Sequence, residues 1–251
     1  MRRALVALVL AAAAASIPGA AAGRGIGLSA SPLRLTLRGA SASSVTVRNP
    51  SRRVLLVDVS RAGFTRSLWG KPRVRPARGA ATWLRLHPRR FRLAPHAKKT
   101  LRVTAAPSRR AAPGDHPALV LLTTRPLGVR HVRVRIRVGV VVDLRVRGRL
   151  VRRLDARALG VRHRGTLRLL ELRLVNRGNV TERLPGDGLR LSLHSGGRVV
   201  ATLRPQAREL LPHRAGIAVF AYRGRLRGPV VARVELRSPV RGSRRSFLLR
   251  L

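Results

Sequence analysis

The stretch VRVRIRVGVVVDLRV, residues 132–146, decides the fold. Its even positions, Val132, Val134, Ile136, Val138, Val140, Val142, Leu144 and Val146, are all aliphatic. The odd positions carry Arg133, Arg135, Arg137, Gly139, Asp143 and Arg145, with Val141 as the apolar exception. Side chains of a strand alternate between faces, and β-branched residues suit a half-buried pleated surface. The spacing therefore predicts one strand over the whole stretch, with one face in a core and the other toward water or a polyanion. Its length and mid-chain position make it the last strand of one β domain running into a second.

Outward from this strand the chain reads as short β segments. Leu33, Leu35 and Leu37 alternate with Arg34, Thr36 and Arg38. Ser44 to Arg48 forms a second strand, closed by Asn49-Pro50-Ser51, a turn in which proline presets φ and asparagine bonds its own backbone. Val54 to Ser60, Trp83 to Leu86, Phe91 to Leu93, Thr100 to Thr104 and Ala118 to Thr124 complete a set spaced as in a sandwich. Residues 65–80 hold prolines, glycines and basic residues with no clean period, which predicts a long surface loop.

The second half repeats the plan. Leu167 to Val175 ends in Asn176-Arg177-Gly178-Asn179, matching Val47-Arg48-Asn49-Pro50. Leu210-Leu211-Pro212-His213 matches Leu93-Ala94-Pro95-His96, and Gly228-Pro229 before Val234 and Leu236 matches Gly114 to Pro117 before Leu119 and Leu121. Landmarks recurring in one order predict two tandem immunoglobulin-like β-sandwiches, residues 23–148 and 149–251, in an all-β chain.

Composition narrows function. The 251 residues carry 54 Lys+Arg against 9 Asp+Glu, a formal charge of +45, and no cysteine. Disulfides, thiolate metal sites and cysteine nucleophiles are thereby excluded, and anionic surfaces are attracted. Met1-Arg2-Arg3, the apolar run Ala4 to Ala15, the breaker Pro18-Gly19 and Ala20-Ala21-Ala22 form a secretory signal peptide over residues 1–22. The mature chain is expected to be secreted, periplasmic or at the cell surface, with no transmembrane segment.

Two resemblances add to this reading. The order SPLRLTL, SVTVRNPS, WLRLHPRRFRLAPHAKKTLRV and PGDHPALVLL is similar to the N-terminal domain of periplasmic pilus chaperones. Tandem sandwiches with VNRGNV in the second resemble more closely the WxL-protein-interacting family of bacterial envelope proteins. Both imply a non-enzymatic protein-binding role in the envelope.

Chemistry-bearing patterns point the same way. The acids are scattered singly, and no H-E-x-x-H, G-x-S-x-G or phosphate loop occurs. Asp115-His116 reads as a solvated turn rather than half of a dyad. His96 and His213 occupy equivalent turn positions, which argues for structure over ligation, and the histidines lack metal-ligand spacing, so no cofactor or metal is expected. Two surfaces remain as candidates. Arg133, Arg135 and Arg137 form a row of guanidinium forks suited to anions. Trp69 with Lys71, Arg73, Arg75 and Arg78 joins an aromatic platform to cations. The leading expectation is a secreted envelope protein binding anionic cell-wall polymer or a surface protein partner, with no specific nucleic-acid target. The alternative is a chaperone that pairs a strand edge, through Val134, Ile136 and Val138, with a pilus or surface subunit.

Overall fold

A computed structural model describes residues 27–125, 134–184, 189–224, 230–236 and 243–249. The expected signal peptide at 1–22, together with Val132 and Arg133, lies outside the described residues. Strands dominate, and a five-residue 3-10 turn at Gly79–Trp83 is the helical element among the described residues.

The first half comprises β1 (Ser29–Ser31), β2 (Arg34–Arg38), β3 (Ser41–Arg48), β4 (Leu55–Arg66), β5 (Pro72–Arg75), β6 (Leu84–His87), β7 (Arg90–Leu93), β8 (Lys98–Ala105), β9 (Gly114–Thr124) and β10 (Arg137–Val146). One sheet runs β1-β3-β8-β6 and the other β2-β10-β9-β4-β5, with β7 also on β4. Their inner faces meet in one core. Leu35 and Leu37, Val45 and Val47, Leu101 and Val103, and Val140, Val142 and Leu144 are all buried, each set at the two-residue period of a pleated strand.

The second half comprises β11 (Leu154–Arg164), β12 (Leu167–Asn176), β13 (Glu182–Leu184), β14 (Leu189–Ser195), β15 (Arg198–Leu203), β16 (Arg208–Leu210), β17 (Ala215–Tyr222), β18 (Val230–Leu236) and β19 (Ser243–Leu249). Sheets β11-β12-β17 and β15-β14-β18-β19, with the pair β13-β16, enclose a separate core around Phe220, Leu172, Leu174, Leu191 and Val234. The chain is thus all-β, in two immunoglobulin-like sandwiches.

The repeated landmarks are the same device built twice. Asn49 and Asn176 are each 0% exposed. Asn49 Nδ2 donates to the carbonyls of Arg53 (2.7 Å), Leu93 (3.1 Å) and Ala94 (2.9 Å), and Asn176 Nδ2 to those of Val180 (2.8 Å), Leu210 (3.1 Å) and Leu211 (3.2 Å). The backbone N–H of Asn49 donates to Ala97 and that of Asn176 to Arg214. Three residues past the first accepting leucine, Leu93 or Leu210, the chain needs a left-handed residue, and His96 (φ 56°) and His213 (φ 55°) supply it. The two histidines are therefore backbone pivots of the same turn.

Three expectations need correction. Residues 65–80 are not a loop: β4 runs on to Arg66, a hairpin brings in β5, and the 3-10 turn follows. Every residue of β5 is exposed, because it is a sheet edge with no core face, so no alternation marks it in the sequence. The long strand is shorter than expected, since its regular ladder starts at Arg137, with Val134 only an isolated bridge. Asp115 is not in a solvated turn either: it is 8% exposed, inside β9.

Candidate functional site

The strand edge on β10 follows from how far β2 reaches. Parallel β2 pairs with β10 only over Val141 to Arg145. Val141 N–H donates to the Leu33 carbonyl (2.9 Å) and Gly39 N–H to the Arg145 carbonyl (2.8 Å), so the odd residues of β10 turn their backbone groups to that side. Even residues turn to β9, as the bond from Thr124 N–H to the Ile136 carbonyl (2.9 Å) shows. Upstream of Val141 the same alternation leaves the N–H and C=O of Arg137 and Gly139 facing outward, and no strand pairs with that side among the described residues. An unpaired edge of this kind is a template for another chain.

The side chains along that edge divide by face. Ile136 and Val138 pack against the first core, half-buried, and Val134 is 40% exposed. Arg135 and Arg137 are exposed between them. The structure therefore brings together Val134, Ile136 and Val138 with two of the three expected arginines, while Arg133 lies outside the described residues.

The Trp69 group is placed differently. Trp69, 43% exposed, sits at the β4-β5 hairpin tip, and the guanidinium of Arg162 from β11 stands 5.5 Å from its ring centroid. Its carbonyl accepts from Arg208 Nη2 (2.6 Å), and the neighbouring Leu68 carbonyl accepts from Ile217 N–H (2.9 Å) and Arg208 Nη1 (3.0 Å). Lys71 N–H is bound by Ser67 Oγ, Arg73 and Arg75 lie on β5, and Arg78 precedes the 3-10 turn. The hairpin tip is thus fastened to the second half. Burial lowers the pKa of Arg208, and the nearby Arg66 lowers it further.

Sequence reasoning missed the junction between the halves. Asp115 in β9 accepts from Arg145 Nε (2.6 Å) and Nη2 (3.0 Å) and from Thr181 N–H (2.8 Å). Burial alone would raise its pKa, but these hydrogen bonds and the Arg145 charge hold it below the usual carboxylate value. Asn179 joins both halves to the connecting segment. Its side chain donates to the carbonyls of Pro113 (2.9 Å) and Arg149 (2.9 Å) and accepts from Val151 N–H (2.7 Å), while its carbonyl accepts from Asp115 N–H (2.7 Å). Gly114, at φ 123°, permits this approach, since a Cβ there would lie 2.3 Å from the Asn179 oxygen.

A second acid cluster lies beside it. Glu209 binds Arg34 through both guanidinium nitrogens and Arg66 at 2.8 Å, and Arg34 reaches Asp143 at 3.2 Å. Asp143 is 8% exposed and its Oδ1 has no hydrogen-bond partner. Burial raises its pKa, the Arg34 charge offsets part of that, and the Glu209 charge adds to it. Apolar contact completes the junction, where Leu211 covers Ala62, Phe64, Leu119 and Leu121 on the outer face of the β10-β9-β4 sheet.

No protein-family model and no curated protein matches the chain. Solved structures do. The YadV chaperone aligns over 88% of this chain and 99% of its own, at TM-score 0.51 and 11% identity. A chaperone-tip adhesin complex of CFA/I fimbriae biogenesis aligns over 89% and 97%, at TM-score 0.52 and 10% identity. The class 5 fimbriae chaperone CfaA aligns over 90% and 100%, at TM-score 0.51 and 11% identity. At such identities the likeness is one of fold. It falls on the pilus chaperones, the more distant of the two expected resemblances, and lends nothing to the WxL-protein-interacting family.

Proposed function

We propose that this chain is an exported, chaperone-like protein of a bacterial envelope that offers the upstream edge of β10 to an extended segment of a surface or pilus subunit. The observation that carries the reading is the reach of β2, which covers Val141 to Arg145 and leaves the backbone groups of Arg137 and Gly139 without a second strand among the described residues, beside the apolar Val134, Ile136 and Val138. Main-chain hydrogen bonds to such an edge give affinity, and the apolar side chains give register. The fold likeness to fimbrial chaperones, one of them in complex with a tip adhesin, supports the same reading. Export through residues 1–22 and a division into domains at 23–148 and 149–251 belong to this proposal. The connecting run Arg147 to Arg153 is where the two cores part. A wall-polymer site at Trp69 draws less support, because its ring and carbonyl are engaged by Arg162 and Arg208.

Hydrogen exchange tests the pairing. The mature chain, co-purified with a partner from its own envelope fraction, should show slowed exchange at the Arg137 and Gly139 amides relative to the chain alone. Ile136→Asp should abolish the complex while far-UV circular dichroism stays unchanged. A partner that binds with those two amides exchanging as fast as in the free chain refutes the edge-pairing mechanism.

A further inference from the structure

Resting on the edge-pairing reading, we infer that the segment paired to β10 is acidic on its outward face: an extended protein strand with aspartate or glutamate opposite Arg135 and Arg137. Two arginines on this edge carry charge that no described carboxylate compensates. Residues Arg135 and Arg137 share a face, both are exposed, and no ion pair among the described residues engages either. The acid nearest in register is Asp58, which lies two strands away, since Arg137 stands opposite Thr123 on β9 and Thr123 opposite Asp58 on β4. At about 4.8 Å per strand that is roughly 10 Å, close to a Debye length in physiological salt. Asp58 is moreover already held by Arg90 (2.6 Å) and Arg125 (3.7 Å).

The same holds across the molecule. Asp115, Asp143, Asp155, Glu171, Glu182 and Glu209 all sit in ion pairs with arginine. Of the 9 acidic residues set against 54 basic ones, these six and Asp58 are already engaged away from the open edge. A strand added there sets its side chains about 5 Å from those of β10, where opposite charges stabilise and like charges directly oppose pairing. A lysine-rich or arginine-rich strand is repelled, and a second copy of this chain, presenting Arg135 and Arg137 of its own, is repelled equally. Specificity then has two independent parts: apolar register through Ile136 and Val138, and charge through the two arginines on the other face.

Three synthetic peptides on one alternating apolar template, with glutamate, serine or lysine at the outward positions, test this against the full mature chain by fluorescence anisotropy. Affinity should fall in the order glutamate, serine, lysine, with glutamate over serine by about two- to thirtyfold for two cross-strand pairs. The difference should shrink as salt rises. In the Arg135→Glu, Arg137→Glu double variant the order should invert. Equal binding of all three peptides, each lost in Ile136→Asp, overturns the charge inference and leaves edge pairing standing. Binding of none of them overturns both. Glutamate-peptide binding that survives Ile136→Asp, or that polyglutamate displaces at equal residue concentration, marks general attraction to a cationic surface and also overturns it.

Discussion

Replacing Asn49 by alanine should remove about 4 kcal/mol of stability, and the matching change at Asn176 about 3 kcal/mol. Asn49 makes five hydrogen bonds: its Nδ2 donates to Arg53, Leu93 and Ala94, and its Oδ1 accepts from the N–H and Oγ of Ser51. Asn176 makes four, to Val180, Leu210 and Leu211 and from Gly178 N–H. Each is taken at about 1 kcal/mol net, with the three Nδ2 contacts counted as two bonds because the amide carries two hydrogens. Both side chains are fully buried, so truncation leaves carbonyls without water to replace the lost donor. Urea unfolding suits the measurement. Both tryptophans, Trp69 and Trp83, belong to the first half, so their fluorescence follows that half while circular dichroism follows the whole chain. At an m-value of about 2 kcal/mol/M, Asn49→Ala should lower the fluorescence midpoint by roughly 2 M. Asn49→Asp is the sharper variant. It keeps the shape but turns a carboxylate, which only accepts, toward three carbonyl oxygens, so at neutral pH it should be less stable than Asn49→Ala. A cost below about 1 kcal/mol for alanine at either position, or an aspartate variant more stable than the alanine one, would refute the role assigned to this side chain.

Exposed His96 and His213 carry left-handed φ angles, so glycine at either site should be more stable than alanine by about 1 kcal/mol in thermal unfolding; parity would mean the turn relaxes away from that conformation. The junction acids should respond oppositely to pH. The folded pKa of Asp115 lies below its ordinary 3.8, so its stabilisation is present above that value and disappears as pH falls through the folded one. Asp143 is raised, so its favourable contribution exists below 3.8 and is lost as pH rises through the elevated value. Asp115→Asn should therefore lower Tm at pH 7 and Asp143→Asn raise it, both converging on the parent chain in acid; a shift of one sign for both would contradict this assignment.

Much of the fold was legible because burial on one face of a strand writes itself as a two-residue period. Leu35 and Leu37, Val45 and Val47, Leu101 and Val103, and Val140 to Leu144 all read correctly for that reason. Strands without a core face wrote nothing. β5 is exposed along its whole length, and in β11 only Ala156 is buried before a register shift between Ala156 and Ala158 breaks the period. The internal repeat was visible through Asn49 and Asn176 and through the turns at His96 and His213, but as separate landmarks. Their connection is a single contact made twice, in which the asparagine amide holds the carbonyls that lead into the histidine turn. Two landmarks far apart in sequence recur together because they are bonded to each other in both halves.

The open edge and the junction differ in the same way. Val134, Ile136 and Val138 are neighbours in sequence, so their alternation could be read directly. Asn179 meets Asp115, and Glu209 and Asp143 share Arg34, only in three dimensions. One signal of that meeting was nevertheless on the strand that sets the fold: its outward positions are polar or glycine except Val141, and the one acid among them is Asp143. A sheet face in water accepts an aspartate readily but gives Val141 no burial to gain. Val141 packs with Ala62, Leu119 and Leu211, and Asp143 reaches Arg34 and Arg183, because the second half sits on this end of the sheet. The exception to the alternation thus divides β10 in two, a covered end from Val141 onward on which the second half sits and an end before it that no second strand covers among the described residues.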